Sequence, residues 1–151
     1  MRKVIVFGIG IMLLWSCNNS TEKSTKHQGT ESQTEHHHDE SSEAIELNNG
    51  EKWLVNEEMN PIVLKGEELV NTYIKAGKTD YKTLSEQIKD QNSKLIKSCT
   101  MDGISHDELH KWLHTHLEIV KALGNETDAT KANEIVLQLQ HSYQNYHKYF
   151  N

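Results

Sequence analysis

The chain has one proline, eight glycines and two cysteines among 151 residues, and aromatics make up only 7%. So few turn-forming residues exclude an all-β sandwich, which needs a tight turn after every short strand. Two cysteines cannot build a disulfide framework, so an apolar core has to hold the fold. Positive charge is scarce as well. Sixteen Lys and Arg stand against 22 Asp and Glu, a formal charge of −6. That balance argues against neutralising phosphates, and no nucleic-acid partner is expected. No Gly-rich phosphate loop occurs, and the length allows one domain, hardly two.

What is present begins with an address. Arg2 and Lys3 form a short basic region, followed by an apolar run from Val4 to Trp15. That run is too short to span a bilayer as a stable helix. It closes on Leu14-Trp15-Ser16-Cys17. The pattern resembles the lipobox of bacterial lipoprotein signal peptides: an apolar residue, then a small residue just ahead of an invariant cysteine. The resemblance implies cleavage after residue 16, diacylation of Cys17, and a place in the bacterial cell envelope. The expected location is lipid-anchored on the outer membrane, facing the periplasm. An ordinary secretory signal or a single anchor helix is the alternative. Cleavage removes Arg2 and Lys3 and leaves 14 Lys and Arg against 22 Asp and Glu, a charge of −8. Anionic lipid repels such a chain, so the acyl groups must do the anchoring.

Residues 17–50 read as a lipidated tether. From 18 to 43 there is no aliphatic or aromatic residue, only small, polar and charged ones. Such a stretch cannot bury enough apolar surface to offset its ordering entropy and is expected to be disordered, with a root-mean-square reach of about 25 to 30 Å. It carries His36, His37 and His38 among Glu35, Asp39 and Glu40. Imidazoles beside carboxylates bind transition metals weakly, and a solvated polar linker reads equally well.

From 51 to 151 the apolar residues recur at spacings of three and four, the signature of amphipathic helices. One seam runs Val55, Met59, Ile62, Gly66, Leu69 and Tyr73. A second runs Tyr81, Leu84, Ile88, Leu95 and Cys99. The third is His106, Leu109, Leu113, His116, Val120 and Leu123, and the fourth Ala132, Val136, Leu139, Tyr143, Tyr146 and Phe150. Asp80 is the expected cap of the second helix, and Ser105 to Glu108 reads as a capping box for the third. Gly77 ends the first helix, Met101-Asp102-Gly103 makes the next turn, and Gly124-Asn125 precedes a cap at Thr127 or Asp128. The first helix begins either at Pro61, capped by Asn60, or near Trp53 with a kink at Pro61. The continuing seam favours Trp53. Short connections make neighbours antiparallel, so the expected fold is all-α: an up-down-up-down antiparallel four-helix bundle.

That topology gathers sulfur and imidazole at one end. Met59 starts the first helix, Cys99 and Met101 end the second, His106 and His110 start the third, and His147 ends the fourth. Folding each helix about its turn places them within about 5 to 11 Å of each other in height. Cys99 lies on the seam if Asn92 faces inward. Singly, each has an ordinary explanation: Met fills cores, free Cys is commonly buried, and a His on an apolar stripe is usually a satisfied core or edge residue. His114 and His141 are expected to face solvent, and His116 to line the core.

The fourth segment also resembles the last helix of the cytochrome b562 family. Gln138-Leu139, Tyr146-His147 and Phe150 match its Gln-Leu step, its Tyr-His pair and the aromatic three residues beyond. Asn56-Glu57-Glu58-Met59 matches the acidic and Asn residues ahead of that family's Met ligand. The resemblance implies that Met59 and His147 are the axial ligands of a haem b. Pro61, and the extra donors Cys99, Met101 and His106, depart from the family and favour a bare ion. Sulfur with imidazole suits Cu(I), and Cys with two His suits Zn.

His106-Asp107-Glu108-Leu109-His110 lacks the Glu that a zinc protease places directly after its first His, so no enzyme activity is expected. Two functions from different classes remain ahead of a third, a hydrolytic metalloenzyme using His106 and His110. One is a lipoprotein holding haem or a Cu or Zn ion for electron transfer or metal handling, with a redox or metal-handling protein as partner. The other is an interaction lipoprotein that docks a partner without any cofactor. Metabolic labelling with a clickable fatty acid is expected to mark the protein. Replacing Cys17 with serine is expected to abolish that label, and equal labelling of the variant refutes the anchor.

Overall fold

The computed structural model describes residues 44–151. Four helices fill it: α1 (Met59–Lys75), α2 (Tyr81–Ser98), α3 (Gly103–Asn125) and α4 (Ala129–Tyr149). Among the described residues, β-pairing is limited to two isolated bridges, Asn48 with Glu51 and Trp53 with Phe150. None of the described helices is long and apolar enough to cross a membrane. The signal segment, Cys17 and the tether residues 18–43 with His36 to His38 lie outside the described residues.

Side-chain pairs give the directions of the helices. On α2 and α3, Lys82 Nζ donates to the Gly124 carbonyl and Ser85 Oγ to the Val120 carbonyl, so one helix ascends as the other descends. On α1 and α4, Asn71 pairs with Gln140 and Glu67 with His147, again in opposite order. Trp112 meets Tyr146 while His116 meets Tyr143, which sets α3 against α4 in the same sense. Asn56, just ahead of α1, bonds Thr100, just after α2. Consecutive helices pack against each other, α1 closes the ring against α4, and α2 touches α4 across the diagonal. The bundle and its helix count match what the periodicity predicts.

Local chemistry sets the ends. Asp80 caps α2 by accepting from the Thr83 amide, and Asp128 caps α4 by accepting from the Thr130 and Lys131 amides, the donors a helix start leaves over. Gly77 turns the chain off α1 at φ +58°, a conformation that disfavours a Cβ, while its amide and that of Lys78 satisfy the Ile74 and Tyr73 carbonyls. The capping box at α3 does not form. Ser105 Oγ donates to the Asp102 carbonyl, and Glu108 turns inward, where it is 6% exposed.

α1 also departs from expectation. It starts at Met59, not near Trp53, and runs as one helix to Lys75. Pro61 is its third residue, and the first four amides of a helix have no intrahelical acceptor, so its missing N–H costs nothing there. Trp53 and Val55 instead run extended along the C-terminus. The seam shifts with this start. Met59, Val63, Gly66, Val70 and Tyr73 are buried, while Ile62 and Leu69 are only partly so.

The fourth seam is buried at all six expected positions, Ala132 through Phe150. On α3 the core also takes Trp112, 2% exposed, whose Nε1 donates to the Ser142 carbonyl at 2.9 Å. Gly66 lets α1 approach α4 closely: a Cβ there would fall on the Tyr143 hydroxyl. Gly66→Ala is therefore expected to lower stability by about 1 to 3 kcal/mol, the usual cost of overpacking. Urea denaturation measures it, and Tyr143→Phe in the same chain is expected to recover part of the loss.

Candidate functional site

One end of the bundle is made by the start of α1, the end of α2, the start of α3 and the end of α4. A strap of residues 44–58 crosses it. Trp53 N–H donates to the Tyr149 carbonyl, Asn151 N–H to the Trp53 carbonyl and Val55 N–H to the Asn151 carbonyl. The Trp53 indole donates back to the Glu46 carbonyl at 2.7 Å. Glu46 N–H donates to the inward carboxylate of Glu108, also at 2.7 Å, and Lys111 Nζ supplies that carboxylate with a cation at 2.7 Å. The strap therefore reaches α3 ahead of Glu51. Asn56 then ties it to the turn after α2, its amide bonding both the hydroxyl and the N–H of Thr100. Thr100 stands between Cys99 and Met101, so the strap holds the sulfur-bearing turn in place.

The expected donors divide into three groups here. His106 and His110, one turn apart on α3, come together: their Nε2 atoms are 2.7 Å apart and their rings meet edge to face with centroids 4.4 Å apart. His106 is half-buried and His110 exposed. Cys99 and Met101 are both half-buried against the core at the turn that leads into α3, and Cys99 is a free thiol. Asn92 faces inward at 4% exposure, the condition for Cys99 to share its seam. Met59 and His147 form the third group, and they do not converge. Met59 is 1% exposed inside the core. The Nε2 of His147 lies 2.9 Å from the Glu67 carboxylate, eight residues beyond Met59 on α1. Eight residues are about 12 Å of helix. Two ligands of one metal ion stand within about 5 Å, the sum of two coordination bonds. Met59 and His147 therefore do not fit the two faces of one haem iron as they are placed here.

Among the described residues, no group of three or more His, Cys, Asp or Glu is arranged to hold a metal ion. The His106–His110 pair is a two-nitrogen chelate, to which Met101 is the nearest thioether in sequence. In the neutral pair one ring donates a proton to the other's lone pair. A metal ion can replace that proton, with both nitrogens at about 2.0 to 2.1 Å from it.

Trp112, Glu67 and the inward turn of Glu108 are absent from the sequence-based expectations. Trp112 had a signal, since it falls three residues after Leu109 and four before His116. Glu67 and Glu108 had none, because their partners lie 80 and 62 residues away in sequence.

Deeper in the bundle, rings from α3 and α4 stack in a column. Phe150 lies on Tyr146, Tyr146 against Trp112, Trp112 on His116, and His116 edge-on to Tyr143, at centroid distances of 5.2, 4.8, 4.8 and 4.8 Å. Burial raises the Tyr143 and Tyr146 hydroxyls, Tyr146 to about 12, and the Glu67 carboxylate pushes Tyr143 further the same way. Burial also lowers the His116 imidazole to about 4, so it is neutral near pH 7. Its Nδ1 lies 2.9 Å from Ser142 Oγ, and its Nε2 has no hydrogen-bond partner. His116 thus lines the core as expected, and His114 and His141 are exposed.

Comparison with protein-family models, curated proteins and solved structures finds no match for this chain.

The buried imidazole makes stability depend on pH. His116 titrates near 6.5 when unfolded and near 4 when folded, so between those values the unfolded chain binds the extra proton. Stability is complete above about pH 6.5 and falls as pH drops toward 4. The loss from pH 7 to pH 5 is about 2 kcal/mol from this group. Denaturant titrations at the two pH values, compared between the parent and His116→Leu, measure it. The difference is expected to shrink by that amount in the variant.

Proposed function

We propose that the protein is a membrane-anchored, non-catalytic lipoprotein that binds a transition-metal ion at the sulfur–imidazole end of its bundle, for metal handling with a protein partner in the cell envelope. The observation that carries this reading is the 2.7 Å approach of His106 Nε2 to His110 Nε2. Two imidazoles at that separation can exchange a shared proton for a metal ion. The thioether of Met101 lies on the adjoining turn, and imidazole with thioether favours Cu(I), with Zn(II) the alternative on the imidazoles alone. The lipobox at Leu14–Cys17 supports the anchor, and the net charge of the mature chain supports anchoring by acyl groups alone. Haem is the weaker choice, because Met59 and His147 address α1 about two turns apart.

A second reading has its own support. Leu54 and Ile104 are 76% and 67% exposed at this same end, next to a cleft lined by Trp53, Leu54, Ser105 and Asn151. A bundle that docks a partner without any cofactor would show such apolar residues too.

Thermal denaturation of the mature protein with hemin, Cu(I), Cu(II) and Zn(II) separates the readings. An ion at a hundredfold excess over its Kd adds about 2.7 kcal/mol to stability, seen as a raised Tm. Cu(I) or Zn(II) is expected to give that rise, and His110→Ala to remove it. Hemin is expected to bind poorly. A Tm that none of the four changes refutes metal binding and leaves the docking reading.

A further inference from the structure

The buried side of α3 fixes what its other side offers. Leu109, Trp112, Leu113 and His116 face the core, with the Trp112 indole bonded to the Ser142 carbonyl. The helix cannot rotate about its axis without breaking that set. His110 and His114 are accordingly exposed, and His106 is half-buried beside them. These three histidines stand at successive spacings of four. Each step advances about 6 Å along the helix and turns about 40° around it, so the three form one slanted stripe. At the first step the spacing already brings two Nε2 atoms to 2.7 Å. The same spacing of four recurs between His110 and His114, both exposed, one turn further on. His106 and His114 are about 12 Å apart along the axis, too far to share one ion, in keeping with the lack of any three-residue cluster of His, Cys, Asp and Glu among the described residues.

We propose that α3 carries two overlapping two-imidazole seats, His106/His110 and His110/His114, which share His110 and so hold one metal ion between them. This rests on the metal-binding reading above and extends it to a second position. The seats differ in chemistry. The first adjoins the turn bearing Cys99 and Met101 and suits a soft ion such as Cu(I). The second has imidazole donors alone and suits Cu(II), Ni(II) or Zn(II). An ion released from the first seat is still held by His110 while it engages His114, which moves it about 6 Å along α3 and farther from the sulfur-bearing turn.

The test uses the mature full-length protein with His36, His37 and His38 replaced by alanine, so that the tether cannot compete. Cu(II) is titrated by calorimetry and its nitrogen ligation followed by electron paramagnetic resonance. One ion per chain is expected. His106→Ala should weaken Cu(II) binding by no more than about twofold, and His114→Ala by more, on the order of tenfold, because the seat that survives it adjoins the sulfur-bearing turn and suits Cu(II) less well. His110→Ala should weaken it on the order of a hundredfold, because both chelates are lost. Alanine is the best helix former, and circular dichroism confirms that α3 persists in each variant. If His114→Ala binds like the parent while His106→Ala loses the ion, there is a single seat and this proposal is wrong, though the metal-binding reading stands. Two ions per chain overturn the sharing of His110. If the parent binds no ion at all, the functional reading itself fails.

Discussion

The rotational setting of α3 depends on Trp112. Its ring fills the core between Tyr146 and His116, and its one polar atom finds the Ser142 carbonyl, so burial costs no unmade hydrogen bond. That contact locks α3 against α4, and much of the candidate site depends on it. Glu108, one turn earlier, is carried inward under the strap, where it receives the Glu46 amide and the Lys111 ammonium. The histidine stripe is carried outward. A bulky indole at one position thus decides both where the chain enters the bundle and which donors face solvent.

Much of this was legible in the sequence, for a physical reason. α4 has every core position at heptad spacing and no proline, so a single rotation of the helix buries them all. The caps at Asp80 and Asp128 were legible because capping is local, its donor and acceptor lying two or three residues apart. α1 differs from the expected seam by one residue in phase and from the expected start by six, because the seam from Trp53 through Met59 can be continued equally by Ile62 or by Val63. What decides is the partner of Trp53, and that partner is Phe150, at the far end of the chain. The capping box at Ser105 failed in the same way. Glu108 had a local use and a distant one, and the amide of Glu46 together with the Lys111 ammonium offered its carboxylate two partners at the edge of the core.

The site divides along that line. His106 and His110 could be paired from spacing alone, since four residues are about one helical turn. Met59 and His147 could be assigned to the same end but not to the same point, because level along a bundle does not fix the direction of a side chain. His147 turns toward Glu67, and Met59 turns into the core. A family resemblance carried by short motifs transmits chain positions, and here His147 pairs with Glu67, eight residues from Met59 along α1.

The pairing of Trp53 with Phe150 has a mechanical side. It is a parallel bridge, so the strap and the last residues of the chain point the same way. Between Ala44 and Trp53 the chain reverses at the antiparallel bridge of Asn48 with Glu51, so drag on the chain ahead of Ala44 reaches Trp53 through that turn. The bonds joining Trp53 to Tyr149 and Asn151, and Val55 to Asn151, lie beyond it. The indole bond to Glu46 and the Glu108 carboxylate, which sit nearer the pull, feel it first. Force applied to the chain ahead of Ala44 thus meets a side-chain latch before the helices are loaded.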